Sequence, residues 1–138
     1  MPADRLFLDT ACILARVNAA DKYHASAEAL AARVRLAAEV WTTEAILVEV
    51  GDALSATNRM AAARFIESCY ATPNVRIVPM DTAILRKALS LYGSRLDKDW
   101  GLTDCISFIA MAEHGLTEAA TPDRHFVQAG FKTLLASS

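Results

Sequence analysis

The sequence has 138 residues, a length that suits one compact domain and leaves no room for a second core of ordinary size. It is 54% hydrophobic and 22% charged, with 5 Gly and 4 Pro, so it is too apolar for a disordered segment. The formal net charge of -2 provides no overall positive field that would hold a polyanion. Any nucleic acid partner therefore requires locally placed cations or bound metal ions.

The cysteines and the N-terminus bear on the cellular compartment. Cys12, Cys69 and Cys105 are odd in number and form no C-x-x-C pair, which argues against a disulfide framework and a Cys-ligated zinc site. The apolar stretch near the N-terminus is too short for a secretory signal, and no window approaches the roughly 18 consecutive apolar residues of a membrane helix. We expect a reduced, cytoplasmic protein without export or membrane insertion.

The first half of the chain predicts strands that alternate with helices. A short buried strand at residues 5–8 is followed directly by Asp9 and Thr10. After a linker, four apolar residues have the spacing of one helix face: Ala27, Leu30, Ala31 and Val34. A second strand at residues 40–42 leads into a helix that carries Glu49 at the edge of its apolar face. The helical pattern continues to residue 71.

The second half repeats this alternation. Residues 75–78 are β-branched and predict a strand, and the next helix begins at Asp81 and ends at Gly93. A helix buried on most sides follows, with a Thr cap and Asp104 in its first turn. The last two strands are predicted at residues 119–121 and 131–135. Such alternation implies βαβ crossovers and a mostly parallel sheet covered on both faces.

Four carboxylates can meet at one rim of that sheet. Ligands of parallel sheets bind beyond the carboxyl ends of the strands, where Asp9 and Asp123 lie, and Glu49 and Asp104 follow strand ends on helices. Four carboxylates repel one another unless a divalent cation neutralises them, and hard oxygen ligands favour magnesium or manganese over zinc. Taken alone, Asp104 stabilises a helix N-terminus and Glu49 is a solvated surface residue. The hydrophobic periodicity of the sequence does not by itself show that these four carboxylates form one site.

A resemblance to a known protein family indicates that the four carboxylates belong to one site. The phrases FLDT, TTEAILVEV, LTDCISFIAMAEHG and TPDRHFVQAGF resemble, in order and spacing, the successive motifs of PIN-domain ribonucleases, especially the VapC-type toxins of bacterial toxin–antitoxin modules. The resemblance spans nearly the whole chain. It implies an α/β fold, a PIN-like three-layer α/β/α sandwich with a mostly parallel sheet of about four to five strands. It also implies that residues 1–138 form a single PIN domain.

The resemblance implies an acidic metal site for Mg²⁺ or Mn²⁺, formed by Asp9, Glu49, Asp104 and Asp123. It favours Glu49 over Glu44, because the acid of the family motif follows the apolar residues of ILVEV. The bound ions would lower the pKa of a coordinated water and stabilise charge on the leaving oxygen of a phosphodiester.

Candidate substrate contacts surround these acids in the sequence. Thr10 and Thr121 match small hydroxyl positions that support the site in the family. Lys98 lies near the acids in sequence and is a candidate contact to phosphate, as are Arg95 and Arg124. We assign no catalytic role to His24, His114 or His125, because metal-dependent hydrolysis needs no histidine base.

The resemblance implies a metal-dependent endoribonuclease that acts as a toxin on RNA. It further implies a small antitoxin that blocks the site with an Arg or Lys, and a homodimer built largely from the apolar helices. Two alternatives stay open within the family: an RNA-processing nuclease without a toxin role, and a non-catalytic module that binds RNA or protein. A phosphatase-like fold is disfavoured, because that chemistry wants a second Asp at position 11, where Ala11 stands.

Overall fold

The computed structural model describes residues 3–135, in which strands and helices alternate as predicted. The strands are β1 (Arg5–Leu8), β2 (Glu39–Thr43), β3 (Val75–Val78), β4 (Glu118–Ala120) and β5 (Lys132–Thr133). The helices are α1 (Thr10–Val17), α2 (His24–Leu36), α3 (Glu44–Leu54), α4 (Arg59–Ala71), α5 (Thr82–Ser94), α6 (Leu102–Glu113) and α7 (Arg124–Gln128). None of these helices is both long and apolar enough to cross a bilayer.

All five strands of the described chain form one parallel sheet, in the order β3-β2-β1-β4-β5. This confirms the predicted parallel sheet. The first strand therefore lies at the centre, and Leu8 at its end pairs with Ala120 at the end of β4. Because both strands run in the same direction, the residues that follow them emerge side by side at one edge of the sheet.

Helices cover both faces of the sheet. Leu6, Val40 and Ala120 point to one face and pack with buried residues of α1 and α2. Phe7 and Ala119 point to the other face and join a larger core with residues of α3, α5 and α6. The alternation of side chains along each strand separates these two cores. The three-layer α/β/α arrangement is confirmed.

Helix α6 runs through the larger core, which explains why its sequence is apolar almost all round. Six of its residues are buried: Cys105, Ile106, Ser107, Phe108, Ala110 and Met111. The predicted Thr cap is wrong. The N-cap is Gly101, whose backbone N–H donates a 3.1 Å hydrogen bond to Oδ2 of Asp104, so that Thr103 lies inside the first turn. Gly115, which follows the helix, has a φ of 66°, the left-handed conformation that favours glycine.

The structure contains a helix that the sequence did not predict. Helix α1 begins at Thr10, directly after β1, where we expected a linker. Its N-cap is Asp9, yet the Asp9 side chain makes no capping hydrogen bond. The second difference is a break between α3 and α4, where the side chain of Asn58 caps α4 by accepting from the backbone N–H of Ala61.

Candidate metal centre

Asp9 lies at the end of the central strand and is almost completely buried, with 6% of its surface exposed. The hydroxyl of Thr121, which follows β4, donates a 2.8 Å hydrogen bond to Oδ2 of Asp9. The same Oγ1 accepts a 3.1 Å hydrogen bond from the backbone N–H of Asp123. Thr121 thus connects two of the predicted site residues through one hydroxyl.

The charge of Asp9 is poorly compensated. Burial, with smaller contributions from the charges of Asp104 and Asp123, raises the pKa of Asp9 to about 7 against the opposing hydrogen bonds from Thr121 and Thr10. Within residues 3–135, no Lys or Arg forms an ion pair with Asp9. An ionised carboxylate buried without a cation is strongly disfavoured. Asp9 therefore fits a site that receives its cation from outside the chain.

Asp104 is the third residue of α6 and has one oxygen engaged and one free. Oδ2 accepts from the backbone N–H of Gly101 at 3.1 Å and contacts Nδ1 of His125 at 3.1 Å. Across the described chain, Oδ1 accepts no hydrogen bond. Burial raises the pKa of Asp104, and the charge of Asp123 adds to this effect. The free oxygen is available to a ligand.

Asp123 follows β4 by three positions and caps the short helix α7. Its Oδ1 accepts a 2.9 Å hydrogen bond from the backbone N–H of His125. The proximity of β1 and β4 in the sheet brings Asp123 to the edge where Asp9 emerges. The charge of Asp123 raises the pKa of both Asp9 and Asp104, and Thr121 links Asp9 to Asp123, so the fold brings these three predicted residues close together.

His125 belongs to the same cluster, although its sequence pattern indicated no catalytic role. Its Nδ1 lies 3.1 Å from Oδ2 of Asp104 and 3.4 Å from Oδ1 of Asp123. One potential ligand atom from each of these three residues falls within 4.8 Å of the others. The signal in the sequence was the position of His125 two residues after Asp123. A lone histidine has no periodicity that reveals such a contact.

Glu49 is not joined to the cluster by a direct contact. It lies exposed on α3, a helix that packs against α1 and α6, which carry the other acids at their starts. Within residues 3–135, no hydrogen bond or ion pair links Glu49 to the three aspartates. Glu44, in contrast, accepts from the Tyr70 hydroxyl at 2.9 Å and from the backbone N–H of Met80 at 2.8 Å.

Thr10 and Lys98 differ in their surroundings. Thr10 is buried beside Asp9, and its Oγ1 is a buried oxygen without a hydrogen-bond partner in the described chain. An orphaned hydroxyl of this kind fits a bound ion, water or phosphate. Lys98 lies in the loop before α6, where its Nζ is 3.9 Å from Asp97, and no contact in the described residues brings it to the aspartates.

The chemistry of the cluster suits a divalent cation. Its donors are mainly carboxylate oxygens, which are the ligands that Mg²⁺ and Mn²⁺ prefer, and a cation would relieve the repulsion among three carboxylates. The free Oδ1 of Asp104 and the uncompensated Asp9 provide the negative charge. The residues present therefore fit a metal ion at this edge of the sheet.

The fold is similar to solved structures. VapC20 of Mycobacterium tuberculosis, a sarcin-ricin loop cleaving toxin, superposes with a TM-score of 0.85 and 23% identity, covering 95% of this chain and 99% of that chain. FitAcB of Neisseria gonorrhoeae superposes with a TM-score of 0.65 and 20% identity, covering 94% and 96%. VapBC2 of Rickettsia felis, bound to a promoter DNA fragment, gives a TM-score of 0.67 and 10% identity, with coverage of 94% and 96%.

Comparison by sequence identifies the family. No curated protein matches the sequence significantly. The model of the PIN domain family matches residues 6–132, a span that contains the three clustered aspartates, Glu49 and His125. Since the match covers most of the chain and the fold agrees with it, this chain belongs to the PIN domain family.

Proposed function

We propose that this protein is a metal-dependent endoribonuclease that acts as the toxin of a toxin–antitoxin module. The observation that carries the proposal is the buried Asp9, which has no cationic partner in the described chain and lies beside Asp104 and Asp123 in a PIN domain. The proposed site consists of Asp9, Glu49, Asp104 and Asp123. One PIN domain over residues 1–138 contains all four.

Asp9, Asp104 and Asp123 would hold the divalent cation, Mg²⁺ or Mn²⁺. When bound, such a cation lowers the pKa of a water molecule and stabilises the negative charge that develops on a phosphodiester during hydrolysis. The protein supplies orientation: the hydroxyl of Thr121 donates to one oxygen of Asp9, and the backbone N–H of Gly101 donates to one oxygen of Asp104. These hydrogen bonds therefore fix the orientation of both carboxylates.

Glu49 would orient the attacking water, and polar residues around the aspartates would contact the RNA phosphates. Glu49 is exposed on α3, so its carboxylate can orient the attacking water on the side from which RNA approaches. The orphaned Thr10 hydroxyl can donate to a phosphate oxygen. We propose Lys98 as a more distant phosphate contact, because within residues 3–135 its ammonium has a single ion pair, a long one of 3.9 Å with Asp97.

The toxin role is favoured over RNA processing by the relatives. VapC20 is a toxin that cleaves the sarcin-ricin loop, and VapBC2 was solved in complex with a DNA fragment from its promoter. A small antitoxin can neutralise this chain by placing an Arg or Lys among the uncompensated carboxylates, where it would compete with the cation. An apolar groove of about 360 Å³ between α1 and α2, lined by Ala27, Ala31 and Val34, can accept apolar side chains of the same partner.

The proposed toxin forms a homodimer and acts in the cytoplasm. Large apolar side chains are exposed on α3 and α5, at Val48, Leu85, Leu89 and Tyr92. A second copy would bury them. Cys12, Cys69 and Cys105 are unpaired, as expected for a protein in a reducing compartment.

The test is RNA cleavage by the purified protein in Mg²⁺, in Mn²⁺ and in excess EDTA. We expect cleavage of single-stranded or loop RNA with either metal and none in EDTA. Asp9→Asn and Asp104→Asn should each lower the rate at least about 100-fold, since each removes a proposed ligand while conserving shape. Circular dichroism should show that both variants are folded. Undiminished cleavage in EDTA, or wild-type rates in either variant, would overturn the proposal.

A further inference from the structure

The imidazole of His125 occupies a position that the proposed metal site does not explain. The ring lies beside Asp104 and Asp123, with about a fifth of its side chain exposed (22%). Its Nδ1 faces Asp104 and Asp123, while its backbone N–H donates to Oδ1 of Asp123. The short helix α7 thereby fixes both the ring and the carboxylate that it faces.

The distances around Nδ1 are those of neighbouring ligands on one cation. In an octahedral site with bonds of about 2.1 Å, adjacent ligand atoms lie about 3.0 Å apart. Nδ1 lies 3.1 Å from the Asp104 oxygen and 3.4 Å from the Asp123 oxygen. All three potential donors fall within 4.8 Å of one another. The donors are therefore arranged as two carboxylate oxygens and one nitrogen.

We propose that His125 is a nitrogen ligand of the bound cation and that it makes the site prefer Mn²⁺ to Mg²⁺. This inference rests on the proposed function, because it concerns the same cation. Mg²⁺ is a hard cation that selects oxygen donors, whereas imidazole suits transition metals. Ligation through Nδ1 uses the tautomer that carries its proton on Nε2.

The contacts of His125 have a second interpretation, which predicts a different effect on metal affinity. If Nδ1–H only donates hydrogen bonds to Asp104 and Asp123, His125 is a positioning residue that serves every cation equally. His125→Asn separates the two interpretations, because the Asn amide can keep a hydrogen bond to a carboxylate but is not an imidazole ligand. His125→Ala removes both functions. His114→Asn is the matched control, since His114 stacks on Trp41 at the far end of α6, about 15 Å along the helix from Asp104.

The first measurement is calorimetric titration of the RNA-free protein with MnCl2 and, separately, with MgCl2. For His125→Ala and His125→Asn we expect affinity for Mn²⁺ to fall about tenfold or more, while affinity for Mg²⁺ falls less than about threefold. His114→Asn should bind both metals like the wild type. A different result would overturn nitrogen ligation: if His125→Ala loses the same affinity for both metals and His125→Asn recovers it, His125 is a positioning residue.

The second measurement is pulsed electron paramagnetic resonance of the Mn²⁺-bound protein. We expect a directly coordinated ¹⁴N coupling in the wild type and in His114→Asn, and its disappearance in His125→Asn. Mn²⁺ binding without that coupling would overturn only the role of His125. Failure of the wild type to bind either metal would instead overturn the metal site and with it the proposed nuclease, so the two failures are distinguishable.

Discussion

The hydroxyl of Thr121 donates a 2.8 Å hydrogen bond to Asp9 across 112 positions of sequence. Both residues follow strands that are neighbours in the sheet, and both are buried. The same hydroxyl accepts from the backbone of Asp123, so its hydrogen atom is directed at Asp9. Thr121 therefore orients a proposed metal ligand without needing to contact the metal.

Thr121→Val should weaken Mn²⁺ binding by about 10- to 100-fold, the usual cost of losing an outer partner of a metal ligand. The valine keeps the shape but removes the hydrogen bond that lowers the pKa of Asp9. Calorimetric titration with MnCl2 measures the effect. Thr121→Ser conserves the hydroxyl and should bind like the wild type; equal affinity in all three proteins would show that Asp9 is not oriented in this way.

Glu49 and Glu44 provide a matched pair on the same helix. Glu49→Gln should lower the RNA cleavage rate at least about tenfold, because a proposed water-orienting carboxylate loses its charge. Glu44→Gln should leave the rate within about twofold, since Glu44 contacts Tyr70 and Met80 rather than the cluster. Single-turnover cleavage assays compare the two. If Glu44→Gln lowers the cleavage rate more than Glu49→Gln does, the fourth acid of the site is Glu44 and not Glu49.

The metal-free protein should become less stable as the pH rises. The pKa of Asp9 is about 7 in the folded chain and near 3.8 when unfolded, so the folded state holds a proton between these values that the unfolded state has lost. The resulting stabilisation is full at low pH and disappears as the pH passes 7. From pH 5 to pH 7, Asp9→Asn should gain about 2 to 3 kcal/mol in free energy of unfolding relative to the wild type.

Urea denaturation in EDTA at both pH values measures this gain. Asp52→Asn is a suitable control, because Asp52 is exposed on α3. Saturating Mn²⁺ should reverse the order by stabilising the wild type more than Asp9→Asn. A constant difference between the two proteins across this pH range would show that Asp9 does not carry the proton.

Expression in bacteria tests the toxin role. The wild type should arrest growth, Asp9→Asn at a matched protein level should not, and co-expression of the cognate antitoxin should restore growth. Growth curves combined with sequencing of RNA ends link arrest to cleavage. Arrest by both proteins would separate toxicity from catalysis, and growth of both would favour an RNA-processing nuclease.

The proposed dimer buries the exposed apolar side chains of α5, which are Leu85, Leu89 and Tyr92. Leu89 is 54% exposed, and Leu89→Lys should shift the protein from dimer to monomer in light scattering, because a charge would be buried in the interface. Leu96→Lys changes an even more exposed leucine in the loop after α5 and should leave the dimer intact. A monomeric wild type would refute the proposed interface.

Local patterns predicted the strands, whereas the resemblance to PIN-domain ribonucleases grouped Asp9, Asp104 and Asp123 in one site. β-branched and apolar runs specify strands, and the residues after β1 and β4 follow from parallel pairing. Helix α1 was missed for a physical reason: its N-cap Asp9 directs its side chain to Thr121 instead of capping the helix, and α1 is only 8 residues long. His125 was missed because its role depends on a tertiary contact with Asp104.

The central position of β1 determines when during synthesis the site can exist. Asp9 precedes Thr121 by 112 positions in the chain, and Asp123 and His125 follow Thr121. A nascent chain that has not reached residue 125 has an incomplete acidic cluster, and β4 is not yet available to pair with β1. The proposed nuclease site can therefore form only after the ribosome has translated residue 125.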